Sequence, residues 1–120
     1  MCRSVVIKGL EAILTESLAA ARHYGVEADV LASLEETFPN EDWETLAAYM
    51  IGRAMQHGRR RAEEMREVAR TLEEAGLSPA LSLATAERQD WAYALGEGGN
   101  VKELAAILDV LAPVITEAAQ

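Results

Sequence analysis

The stretch 1-MCRSVVIKGLEAILTESLAAARHYGV-26 decides how this sequence reads. Val6, Leu10, Ile13 and Ser17 recur at spacings of four, three and four, the signature of one helical face. Gly9, Ala12, Ala19, Ala20 and Ala21 are small, so a second helix can approach closely. The pattern predicts a helix over 2–24, with Gly25 as its stop, because glycine tolerates the left-handed conformation that follows a last turn. No strand or turn chemistry introduces this helix, and its apolar arc is wide enough to want cover from more than its own chain.

Working outward, the rest of the sequence is helical too. Asp29 is placed to cap a short helix over 30–37, ended by "FPN". Asn40 is placed to cap a third helix, with Glu41, Asp42 and Glu44 at the positive end of its dipole. That helix runs through "WETLAAYMIGRAMQ", meets a bend or break at Gly58, and resumes through "RRRAEEMREVARTLEEAG" with Gly76 as the stop. Ser78 and Pro79 form a cap and first turn for a helix over 79–95. "GEGGN" is the clearest loop. Asn100 and Glu103 have the spacing of a capping box opening the last helix, which Pro113 kinks or ends early. No segment alternates at period two and no repeat of 20–50 residues is present. The expected fold is all-α, one domain over 1–120, with five or six helices.

Composition agrees. Half of the 120 residues are hydrophobic but only 5% are aromatic, a mix dominated by Ala and Leu that suits packed helices and suits strands poorly. A formal charge of −9 makes nucleic acid a poor partner for the whole surface. Cys2 is the only cysteine, so no internal disulfide forms. With no charged-then-apolar leader and no apolar run near 18 residues, the expectation is a cytoplasmic protein with no membrane partner.

Chemistry is sparse. Six of the eleven basic residues, all arginines, lie between 53 and 70. Arg53, His57 and Arg61 are four apart and share a helix face, which suits a carboxylate or phosphate because arginine donates in a matching fork. The plainer reading of the run is a solvated face balanced by Glu63, Glu64, Glu67, Glu73 and Glu74. His23 and His57 are the only histidines, too few for a zinc site. No elbow motif surrounds Ser17 or Ser33. No glycine-rich phosphate loop follows a strand, so the chain contains no dinucleotide-binding half.

Three stretches, "MCRSVVIKGLEAILTESLAAARHYGV", "HGRRRAEEMREVARTLEEAGLSP" and "ATAERQDW", taken in order, resemble the C-terminal helical domain of the β-hydroxyacid dehydrogenases, the family of 6-phosphogluconate dehydrogenase and 3-hydroxyisobutyrate dehydrogenase. The likeness is strongest to a branch in which that domain follows a 6-phosphogluconate-dehydrogenase-like NAD-binding domain. The resemblance implies a general acid/base lysine on the long opening helix, one residue before Met1, with Arg3 and Ser4 at positions where the family carries asparagines. It implies that the chain is cut from a longer enzyme, lacks the Rossmann domain and the catalytic lysine, and contributes dimer surface and substrate contacts. A later Lys–Asp pair of the family falls near Glu63–Glu64, so the lysine is not kept.

The resulting expectations are a homodimer, an N-terminal Rossmann domain as natural partner, and NAD or NADP as cofactor of the parent enzyme but not of this chain. A small anionic substrate is expected, its polar lining drawn from Arg3, Ser4, His57 and Arg61, with no catalytic residue and no metal ligand in the chain. The rival expectation is a free-standing helical adaptor that binds a protein partner through its first helix.

Overall fold

The first helix must bury one face, and the structure shows which. The computed structural model describes residues 1–119, with side chains through Ala112. Five helices follow in order: α1 (Cys2–His23), α2 (Glu27–Thr37), α3 (Trp43–Glu74), α4 (Ala80–Gly96) and α5 (Leu104–Ala119). There is no strand among the described residues, and the fold is all-α as the sequence predicts.

α1 turns its buried side, Glu11, Ala12, Leu14, Thr15, Leu18, Ala19 and Ala21, onto α3, α4 and α5. The periodic face built on Val6 and Ile13 is on the other side and stays in solvent, at 65% and 62% exposure. The two glycine stops behave as expected. Gly25 and Gly76 take φ values of 70° and 83°, and the next amides, Val26 and Leu77, donate back to the carbonyls of Ala21 and Leu72 at 2.9 Å. Both ends are therefore six-residue closures that satisfy carbonyls left over by the helix.

The caps differ from expectation. Asp42, not Asn40, opens α3: its carboxylate accepts from the Thr45 amide at 3.3 Å and the Thr45 hydroxyl at 2.8 Å. Those hydrogen bonds, the Thr45 hydroxyl's first, hold its carboxyl below the ordinary value. Asp29 lies inside the first turn of α2 rather than capping it, and Pro79 rather than Ser78 occupies the position before α4. α5 starts at Leu104, so Asn100 and Glu103 form no capping box, and the helix continues through Pro113 instead of ending there.

Gly58 does not break α3, which is one helix of 32 residues. A Cβ at Gly58 would stand 2.1 Å from the Gln89 carbonyl oxygen of α4. The glycine is where two helix backbones touch, and the α3–α4 seam is the most extensive in the molecule.

The core is in two parts. One cluster joins Leu14 and Leu18 of α1 to Ala47, Ile51 and Met55 of α3, Ala92 of α4, and Ile107, Leu108 and Leu111 of α5. The other joins Ala62, Met65 and Val68 of α3 to Ala86 of α4, with Val5 of α1 packed against it. At the level between them stand Glu11, Arg61 and Gln89.

Candidate functional site: a buried ion pair between two apolar clusters

Each helix of the α1–α3–α4 core sends polar side chains inward. From α1 come Glu11 and Thr15, one turn apart. From α3 comes Arg61, and from α4 come Ser82, Thr85 and Gln89, spaced on one face. All six are buried, with Glu11 at 1% and Gln89 at 0% exposure.

Glu11 is the hub. Its Oε1 lies 3.3 Å from Arg61 Nε and accepts from Gln89 Nε2 at 2.9 Å. The same Gln89 amide donates to the Lys8 carbonyl at 3.1 Å, tying α4 to the α1 backbone. Thr15 donates its hydroxyl to the Glu11 carbonyl at 2.7 Å, removing one buried donor. Arg61 Nε, Ser82 Oγ and Gln89 Oε1 are buried without a hydrogen bond of good geometry. The pairing of Arg61 with Glu11 is thus electrostatic more than a well-aligned hydrogen bond.

Burial pushes the Glu11 carboxyl above its ordinary value. The Gln89 hydrogen bond opposes this most, followed by the charges of Arg61, Lys8 and Arg53. A low-permittivity site disfavours the carboxylate, and the surrounding donors and cations restore part of what burial costs. Three cations therefore face one buried acid, an excess of positive charge in a chain whose net charge is −9. His57 lies on the margin of this field. Burial, then Arg53, Arg60 and Arg61, push its imidazole below the ordinary value, so it is neutral at pH 7.

The four side chains expected to line a substrate pocket are not gathered into one recess. Arg3 is exposed and Ser4 half-buried in the first turn of α1. His57 lines a shallow recess of about 370 Å³ with Gln56, Arg59, Arg60, Glu63 and Tyr93, which Arg3, Ser4 and Arg61 do not enter. Arg61 is engaged by Glu11. Seven residues separate Ser4 from Glu11, about 10 Å along the helix, so Ser4 stands well away from the ion pair. Among the described residues no three His, Cys, Asp or Glu side chains gather as a metal site, and no helix is long and apolar enough to cross a membrane.

Sequence reading misses Glu11, Thr15, Ser82, Thr85 and Gln89. Their signal is present: on α4 they recur at spacings of three and four, which places them on one stripe, and only the packing shows that the stripe faces inward.

A second surface feature lies on the opposite flank of α1. Val6, Gly9, Leu10 and Ile13 with Leu81 and Ala84 of α4 line an open apolar groove of about 380 Å³. Arg88 closes one end, paired to Glu16 at 2.7 Å and lying 4.7 Å over the Trp91 ring.

Comparison with known proteins places this architecture. The family described as a domain of unknown function, DUF1932, matches residues 21–92. A solved structure, that of a conserved hypothetical protein from Sinorhizobium meliloti 1021, superposes with a TM-score of 0.88 at 40% sequence identity. That alignment covers 94% of this chain but 39% of the other, so the chain spans well under half the length of this relative. No curated protein matches. The family match takes in α3 whole, with the buried arginine and the Gly58 contact, and it reaches into α4 past Gln89. The chain belongs to the DUF1932 family, the C-terminal helical domain of 6-phosphogluconate-dehydrogenase-like, β-hydroxyacid dehydrogenase proteins.

Proposed function

We propose that this chain is the dimerisation and substrate-binding domain of an NAD(P)-dependent β-hydroxyacid dehydrogenase-like oxidoreductase that acts in the cytoplasm. The observation that carries the reading is the apolar arc of α1, with Val6, Ile13 and the neighbouring Leu81 of α4 exposed at 65%, 62% and 77%. Exposed apolar side chains lining one continuous groove mark an interaction surface. The family membership and the 39% coverage of the longer relative support a domain that works within a larger protein. A free-standing adaptor has no such support.

A dinucleotide does not fit the residues present. Among the described residues there is no strand and no glycine-rich strand-to-helix turn, so a nicotinamide cofactor and its hydride chemistry belong to a further domain. Within this reading Arg3 and Ser4 on α1 and, separately, His57 in its recess on α3 are the accessible polar groups offered to a small anionic substrate. Arg61 is buried and acts by holding Glu11 and keeping α1 in register.

Two measurements test the reading. The purified chain gives twice its 13.0 kDa mass in light scattering at micromolar concentration, and a single mass removes the dimerisation role. The chain alone oxidises no β-hydroxyacid with NAD or NADP, and substrate-dependent reduction of either cofactor overturns the assignment of cofactor binding to another domain.

A further inference from the structure

A cavity of about 680 Å³ lies between the first turns of α3 and the approach to α5, outside the ion-pair layer and away from the apolar groove of α1. Its volume is in the range that holds small ligands, roughly 300–1,000 Å³. Four charged side chains line it, Glu44 and Arg53 from α3 and Lys102 and Glu103 from the segment entering α5. None of the four makes an ion pair or a side-chain hydrogen bond among the described residues. Arg53 has the Tyr49 ring 5.9 Å from its guanidinium carbon and acts on Glu11 through its charge without an ion-pair contact. Elsewhere Arg22, Arg60, Arg61, Arg66, Arg70 and Arg88 each hold a carboxylate. In a chain with 20 acids and 11 basic residues, an arginine facing a cavity with no carboxylate in contact with it is a side chain left available.

The pattern of charge selects the ligand class. Two cations and two carboxylates line one recess, so a polyanion meets repulsion from Glu44 and Glu103, and a simple cation meets it from Arg53 and Lys102. A molecule carrying one charge of each sign satisfies both. Length then decides between such molecules. Glu44 and Arg53 are nine residues apart on one helix, about 13 Å along its axis. A free amino acid separates its charges by far less. An extended peptide gains at most about 3.3–3.6 Å per residue, so three residues span roughly 10 Å, and side-chain reach closes the rest.

We propose that this cavity binds short zwitterionic peptides of about three residues, the carboxylate held by Arg53 and Lys102 and the ammonium by Glu44 and Glu103. Gln56 and the Tyr49 hydroxyl lie on the same wall and serve the peptide backbone between the ends. This site does not depend on the dehydrogenase reading and stands or falls apart from it.

Titration calorimetry of the full chain with triglycine tests the proposal. Saturable binding is expected, weakened at least tenfold when the probe is N-acetyltriglycine or triglycine amide, and at least tenfold with free glycine. Arg53→Gln and Glu44→Gln each weaken triglycine binding by a similar factor. Lys102→Gln, at an exposed residue off α3, checks the carboxylate end should Arg53→Gln lose helical signal in circular dichroism. No heat with triglycine at millimolar concentration overturns the proposal. So do equal affinities for the capped and uncapped probes, binding of inorganic phosphate in preference to triglycine, or unchanged affinity in the Glu44→Gln and Lys102→Gln variants.

Discussion

The two long faces of α1 are both mixed. The face that packs inward sets Glu11 and Thr15, a carboxylate and a hydroxyl, among Leu14, Leu18 and three alanines, while the face left in solvent carries Val6 and Ile13. Apolar periodicity measures which residues repeat. It does not measure which side the rest of the chain covers. Here the inward side holds two polar groups within an apolar surface because α3 and α4 bring Arg61 and Gln89 to meet Glu11. The outward side leaves Val6 and Ile13 exposed in a groove edged by Leu81 of α4. A buried charge in a helical core is expensive unless paired, so the inner face holds the larger energies, and the outer face governs association.

The largest effect expected from breaking this contrast is at the ion pair. Arg61→Met strands Glu11 with only Gln89 and the more distant cations, and should cost about 3–5 kcal/mol, the usual penalty for removing one partner of a buried pair. Urea unfolding followed by circular dichroism reads it directly. The double variant Glu11→Leu/Arg61→Met removes both charges and should recover most of the loss. A double variant no more stable than the single one would show that the pair is needed for more than mutual neutralisation.

The same layer carries a pH signature of defined sign. Burial raises the Glu11 carboxyl above its ordinary 4.5, so between that value and the folded one the folded chain binds more protons than the unfolded chain. The contribution of Glu11 to stability is therefore fully present below 4.5 and falls as pH rises through the folded value, opposite to the usual behaviour of a salt-bridged carboxylate. Glu11→Gln should flatten this part of the stability curve. A wild-type curve that keeps pace with Glu11→Gln from pH 4 to pH 8 would contradict the raised value.

The next effect is at the helix contact. Gly58→Ala places a methyl 2.1 Å from the Gln89 carbonyl, a backbone atom that cannot swing aside. Separating α3 from α4 far enough to admit it should cost about 1–3 kcal/mol, the range for overpacked cores, and more if Gln89 loses its hold on Glu11. The alanine has the better helix propensity, so a stability gain would mean that the seam is loose there.

Gly58 also shows how much of this protein was legible beforehand. The all-α class and the stops at Gly25 and Gly76 follow from local chemistry, since periodicity and left-handed closure act over a few residues. Gly58 reads in the sequence as a bend or break, and only the position of α4 shows it to be a contact. The cap of α3 shifted by two residues for a related reason: Asn40 and Asp42 both have capping side chains, and Asp42 is the one that holds Thr45. The ion-pair layer was illegible because its members come from three helices at sequence separations of 28 to 78 residues. Arg61 was singled out, but as a group facing a ligand. Its acid partner, 50 residues earlier, was hidden among the apolar residues of α1.

The smallest effect on stability, and the sharpest test of the outer face, is Ile13→Lys. Ile13 is 62% exposed, so the substitution removes little buried area and should shift folding stability by no more than about 0.5 kcal/mol. In the dimeric reading the same change places two like charges in an apolar contact, and light scattering at micromolar concentration should fall from twice the chain mass to the single value. Leu77→Lys provides the contrast. Leu77 is exposed to a similar degree, 59%, but lies in the α3–α4 connection away from the groove. Its mass should not change. If both variants stay paired, or both dissociate, the groove between α1 and α4 is not what joins two copies, and the exposure of its apolar residues needs a different partner.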